Sequence, residues 1–201
     1  MIPIKQDLTI YQGSSWEYDF YWYSDTEVVK AITAATLSYP TVLEAIGHGI
    51  PAGTKVPVSI LDVGDWINTG LEKDSRIYAE RVDDDNLSVL IDGTGEDTYT
   101  GSAGRLVYNT PMDLTVGWDA RMQLRASLAD DTVIIERLNT DGTITLGVDG
   151  LIKPEMSDAE TDLLDFASCV YDLEMVNTLT SEVVRVAYGK AKLSKQVTRT
   201  P

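Results

Sequence analysis

The chain has 201 residues, 43% hydrophobic and 24% charged, with 32 acidic against 16 basic side chains and a formal net charge of −16. Its one cysteine, Cys169, excludes an internal disulfide and multi-cysteine metal sites, and its one histidine, His48, removes most remaining zinc, haem and Cys-His chemistry. So acidic a surface repels phosphate backbones, so nucleic acid is not an expected partner, and no apolar run approaches the roughly 20 residues that cross a bilayer, so no membrane is expected either.

The opening Met1-Ile2-Pro3-Ile4-Lys5-Gln6-Asp7 has no apolar region behind a basic one and does not read as a signal peptide. From Trp16 to Trp22, period two puts Trp16, Tyr18, Phe20 and Trp22 on one face, read as core, and Glu17 and Asp19 on the other. Tyr21 and Tyr23 have the outer parity, where large aromatics mark candidate interface residues. Further strands are expected over 31–38, 41–45, 55–61, 76–82, 86–91, 105–109, 119–126, 132–138, 143–146, 168–176 and 182–193. Gly47-His48-Gly49, Pro51-Ala52-Gly53, Asp92-Gly93, Asp141-Gly142 and Asp149-Gly150 separate them as turns. Asp141-Gly142 between two apolar-rich runs predicts a type I′ hairpin, because Gly supplies the positive φ without strain.

Ser157-Asp158-Ala159-Glu160 fits a capping box, with Ser157 accepting from the N3 amide and Glu160 reaching back. Ala159, Leu163, Leu164 and Phe166 continue it as an apolar stripe, which predicts one short helix of about ten residues at most. Beyond Leu193 the chain turns polar and basic, and Lys195 and Arg199 are candidate contacts in a tail that orders on a partner. Many short strands with one helix predict an all-β sandwich or barrel. The stretch from 33 to 110 is rich in Gly, Thr and Asp turns while its flanks are denser in apolar alternation, which predicts an inserted second module.

Each group with chemical potential has a plainer reading. His48 is a general base or metal ligand, or a turn residue whose ring bonds a backbone group; with no second His and no nearby Cys, the turn is favoured. Cys169 beside Val170 is a nucleophile or a small buried hydrophobe, and burial is the commoner fate of a free Cys. Asp83-Asp84-Asp85, Asp92 and Glu96-Asp97 offer carboxylates to calcium, but their spacing does not match a helix-loop-helix calcium loop, so solvated turn charge is preferred. Gly101-Ser102-Ala103-Gly104 lacks the Lys of a phosphate-binding loop, and no aromatic-acidic signature singles out a carboxylate pair for glycoside hydrolysis. No catalytic residue, cofactor or metal site is expected, and the chain does not read as an enzyme.

Two sets of motifs carry a resemblance. Asp7-Leu8-Thr9, Ala120-Arg121-Met122-Gln123-Leu124-Arg125, Asp141-Gly142-Thr143-Ile144-Thr145-Leu146, Tyr171-Asp172-Leu173-Glu174 and Gly189-Lys190, in that order, resemble a small β-sandwich common in phage tail, baseplate and fibre-attachment proteins. The run from Val42 to Val56, with Tyr78 to Val89 and Tyr99 to Gly104, is similar to a small β-barrel module inserted in many phage tail proteins. That module is itself likened to the first catalytic-cysteine half-domain of ubiquitin-activating enzymes, a likeness that carries no ubiquitin chemistry. Where its pattern usually has Phe after the acidic turn, this chain has Asn86-Leu87.

The resemblance implies a discontinuous β-sandwich, 1–32 and 111–201, carrying an inserted small β-barrel over 33–110, with re-entry at Pro111 to Thr115. It also implies a structural component of a bacteriophage particle, a tail or fibre adaptor that joins tail tube, baseplate, fibre or head proteins in several copies. Such a part waits in the host cytoplasm before entering the virion. Two alternatives stay open: a head decoration or head-fibre protein, and a carbohydrate-binding module of a host-recognition device using Tyr21 and Tyr23 as its platform.

Overall fold

The structure is a computed structural model that describes residues 3–72, 75–99, 101 and 103–195. Strands take up 49% of the chain and helix 3%, far from the ordinary mixture, so the class is all-β. The chain divides into two compact units, Met1–Trp22 with Asp113–Pro201, and Tyr23–Met112.

The discontinuous unit is a sandwich of two sheets. Its strands are β1 (Ile4–Lys5), β2 (Leu8–Tyr11), β3 (Trp16–Glu17) and β4 (Phe20–Tyr21), then β12 (Trp118–Arg125), β13 (Val133–Leu138), β14 (Ile144–Leu146), β15 (Leu151–Met156), β16 (Ser168–Asn177) and β17 (Val183–Ser194). The larger sheet runs β1-β17-β16-β12-β13, with β2 also on β17. Both N-terminal strands pair parallel to β17, whereas β17, β16, β12 and β13 pair antiparallel. Period two decides which side chains go inward: Ala120, Met122 and Leu124 from β12 and Cys169, Tyr171, Leu173 and Met175 from β16 are buried, and their neighbours are not. A bulge opposite Leu173/Glu174 lets the consecutive Val186 and Ala187 both face the core.

The smaller sheet sets β14, β3 and β4 around β15. β3 pairs with Glu155 and Met156, and β4 with Leu151 and Ile152. The gap between β3 and β4 lies opposite Lys153-Pro154, where proline has no N–H to extend the ladder. Trp16, Phe20 and Trp22 are buried, and the Trp22 ring meets Trp118 edge-on at 4.8 Å. Tyr18, also expected in that core, is half-buried and packs on Phe20 at 4.7 Å. Gly150, at φ +79°, lies against the carbonyl of Trp22, whose N–H donates back to Gly150 O at 2.9 Å. A side chain has no room there.

The middle unit is one seven-stranded sheet of β5 (Tyr23–Ala31), β6 (Ala34–Ala35), β7 (Thr41–Glu44), β8 (Lys55–Leu61), β9 (Ile77–Arg81), β10 (Asn86–Val89) and β11 (Arg105–Pro111), in the order β5-β11-β8-β9-β10-β7-β6. Its two outermost strands, β5 and β6, are consecutive in the chain with just Ile32 and Thr33 between them. Ile32 N donates to Gly104 O at the β11 side, and Thr33 N donates to Glu44 O at the β7 side. One stretch of chain therefore serves both edges, and the sheet has to curl into a small barrel. Inside are Ile32, Leu43, Ile50, Val56, Val58, Ile60, Ile67, Leu87, Val89, Leu106 and Tyr108. Pairing of β5 with β11 from Tyr23 to Ala31 is what places 23–32 in this unit.

Two local expectations change. Asp141-Gly142 does not close a hairpin: β13 and β14 lie in different sheets, and the turn carries the chain across the sandwich. Gly142 N donates to Asn139 O and Thr143 N to Leu138 O, a longer loop than a two-residue type I′ turn allows. The capping box forms, Glu160 N donating to Ser157 Oγ and Ser157 N to Glu160 Oε2. The helix α1 (Asp158–Asp162) is shorter than the apolar stripe implies: Thr161 and Leu164 face inward, while Leu163 and Ala159 are exposed.

Candidate functional site

The outward residues of the larger sheet form a charged surface whose layout follows from strand register. Arg121, Glu174 and Arg185 lie side by side on β12, β16 and β17; Gln123, Asp172, Tyr188 and Lys5 make the next row; Arg125, Val170 and Lys190 the third. Acids on β16 are neutralised by their neighbours: Arg121 Nη2 donates to Glu174 at 2.8 Å and Arg185 Nη2 to Asp172 at 2.5 Å. The Arg185 guanidinium also sits 5.3 Å from the Tyr188 ring centre. Arg125 is held without an acid, donating to Gln123 Oε1 at 2.8 Å and Asp130 O at 3.1 Å. Two depressions, of 260 and 350 Å³, share Leu128, Val170 and Asp172 in their walls. This basic surface is legible as alternation in Arg121-Met122-Gln123-Leu124-Arg125 and Tyr188-Gly189-Lys190, but its convergence needs the pairing of β1, β12, β16 and β17.

Of the residues expected at an interface, Tyr21 is half-buried on β4 in register with Leu151, and Tyr23 is half-buried and packs against the barrel core. Lys195 Nζ donates to Asp165 Oδ1 at 2.8 Å between two exposed side chains. Arg199 lies outside the described residues.

His48 belongs to the barrel and is 2% exposed. Ile50 N donates to its Nδ1 at 3.0 Å, so the proton sits on Nε2, which donates to Asp83 O at 2.8 Å. The adjoining acids are turn-builders as well. Asp83 Oδ1 accepts from Asp85 N and from Asn86, and Asp85 Oδ1 accepts from Gly47 N. Cys169 faces the sandwich core, where burial pushes its thiol up to about 11. A thiol so protonated is a poor nucleophile at neutral pH. An aromatic disulfide reagent at pH 8 is therefore expected to leave Cys169 unreacted in the native protein and to titrate it fully in denaturant; stoichiometric reaction on the native chain within minutes would contradict that burial.

Several carboxylates are held below their ordinary range by hydrogen bonds to the charged form: Asp141 and Asp113 through the hydroxyls and then the amides of Thr143 and Thr115, Asp83 through the Asp85 amide, and Glu160 through the Ser157 amide. The native values lie below the unfolded ones, so the stabilisation is complete above the unfolded carboxylate range near pH ~4 and fades as pH falls through the native values. The urea midpoint is expected to be nearly flat from pH 7 to 5 and to drop by pH 3; an unchanged midpoint at pH 3 would contradict this.

Among the described residues no helix is long and apolar enough to cross a membrane. Compared with known families, curated proteins and solved structures, the chain matches none.

Proposed function

We propose that the chain is a structural component of a tailed bacteriophage particle, a tail or fibre adaptor that joins virion proteins through its exposed sheet faces. The observation that carries this reading is the architecture, a sandwich made from both ends of the chain with a small barrel between them, which is the arrangement the phage-like motifs imply. The hydrogen bonding supports it: His48, Asp83, Asp85 and the Thr-capped aspartates fix turns, and the charged outer face of the larger sheet is presented to solvent on a rigid antiparallel frame.

The experiment is mass spectrometry of purified particles of the phage that encodes the chain, followed by gold-labelled antibody on intact particles. The chain is expected among the virion proteins, with label at the tail or its fibre attachment. Label confined to the head would replace the adaptor with a head decoration or head-fibre component. Absence from clean particles, with the protein abundant in the infected cell, would overturn the reading.

A further inference from the structure

We infer that the outer face of the larger sheet docks a second copy of this chain, by way of the acidic Val82-Asp83-Asp84-Asp85 turn of the copy's barrel. The face has the make-up of an interface centre. Leu128 is 82% exposed and shares both depressions with Val170. Around this apolar spot stand Arg125 and Lys190, in register on either side of Val170, and Lys5 one row away. Among the described residues none of these three cations is ion-paired to an acid, whereas Asp172 and Glu174 on the same face already are. On a chain of net charge −16, three cations without a salt bridge among the described residues, around an exposed leucine and with Asp7 in the same depression held by Lys190 N, call for an acidic partner with an apolar tip.

The chain supplies such a partner itself. Ile46 is 63% and Val82 56% exposed. Ala45 N donates to Asp85 O and Val82 N to Asn86 O, which holds Ile46 and Val82 beside the acidic turn. The Asp84 side chain is 88% exposed; its Oδ1 pairs with Arg81 Nη2 of the same turn, and no salt bridge or hydrogen bond among the described residues involves its Oδ2. An apolar tip with a carboxylate rim meets an apolar centre with a cationic rim. A phosphate backbone would satisfy the cations but leave Leu128 against a charged strand, and it would face Asp172 and Glu174. The two patches differ, so the contact is heterologous and every copy carries both halves. Two chains of charge −16 repel at long range, yet ions screen that beyond about 8 Å at physiological salt while contact pairs survive. Association is therefore weak and concentration-dependent.

The test is sedimentation of the full chain from micromolar to near-millimolar concentration at physiological ionic strength. The wild type is expected to gain average mass with concentration. Arg125→Glu with Lys190→Glu, and separately Ile46→Lys with Asp84→Lys, are expected to weaken association at least about tenfold. A mixture of the two variants, each with one reversed half, is expected to associate again. Lys190, Ile46 and Asp84 are exposed and Arg125 is half-buried, and unchanged circular dichroism and melting identify correctly folded variants. A wild type monomeric at every concentration overturns the inference, even if the face then binds duplex DNA or another acidic protein, and so do variants that associate like the wild type. The contact does not depend on the virion reading, which particle composition tests separately.

Discussion

Replacing Gly189 with alanine is expected to release the N-terminal strand from the sandwich and cost about 3–5 kcal/mol. β1 and β2 lie parallel on β17, with Gln6 and Asp7 between them opposite Gly189. A Cβ on Gly189 would overlap the Gln6 carbonyl oxygen, lie 2.8 Å from its carbon and 3.0 Å from Asp7 Oδ1. The first two are backbone, so no rotamer relieves the clash. Two bonds fix that backbone, Gln6 N donating to Tyr188 O at 2.9 Å and Tyr171 Oη to Gln6 O at 2.7 Å, and Lys190 N holds the adjoining Asp7 side chain by donating to Oδ1 at 3.0 Å. If the strand lifts, Leu8 and Ile10 leave the core, at roughly 1.5–3 kcal/mol each.

Gly117→Ala separates crowding from backbone strain. Gly117 has φ +78° and no neighbour near its missing Cβ, so the strain alone should cost about 1–2 kcal/mol. Urea midpoints and amide exchange at residues 4–11 give the comparison. If Gly189→Ala costs no more than Gly117→Ala and the N-terminal amides stay protected, the strand is not held where the structure places it.

What sequence alone could reach depended on how local the signal was. The capping box is written in four consecutive residues, and it forms with both reciprocal bonds. Trp16, Phe20 and Trp22 keep their inward parity although the run breaks into two short strands, because that break is imposed from across the sheet by Pro154. The same proline hid β15, which pairs on both sides despite lacking one donor. β5 was hidden by composition: its residues are mostly half-buried or exposed, and pairing with β11 rather than an apolar face holds it in place. β1 and β2 pair across nearly the whole length of the chain, and no local pattern announces such a contact. The convergence of the basic face was hidden for the same reason. Lys5, Arg125 and Lys190 are ordinary surface cations until register brings them around Val170.

His48→Ala is expected to destabilise the barrel by about 3–5 kcal/mol, and graded replacements can show why. The imidazole bridges two segments far apart in sequence, accepting from Ile50 N and donating to Asp83 O, while the His48 carbonyl accepts from the buried Tyr108 hydroxyl. Truncation leaves the buried Ile50 N–H without a partner, at about 1–3 kcal/mol, and adds a cavity the size of the ring, while Asp83 O keeps a bond from Arg81 Nε at 3.2 Å. Asn offers an oxygen near the Nδ1 position and can retain the Ile50 bond; Gln offers an amide nitrogen near Nε2 and can retain the Asp83 bond. Each is expected to recover part of the loss, with amide exchange at Ile50 protected in His48→Asn and exposed in His48→Gln. A histidine serving a metal or a proton transfer would show no such split, because its removal would leave the turn bonded as before. Equal stability of wild type and His48→Ala, with Ile50 still protected, would take the residue out of the scaffold and reopen a chemical role for it.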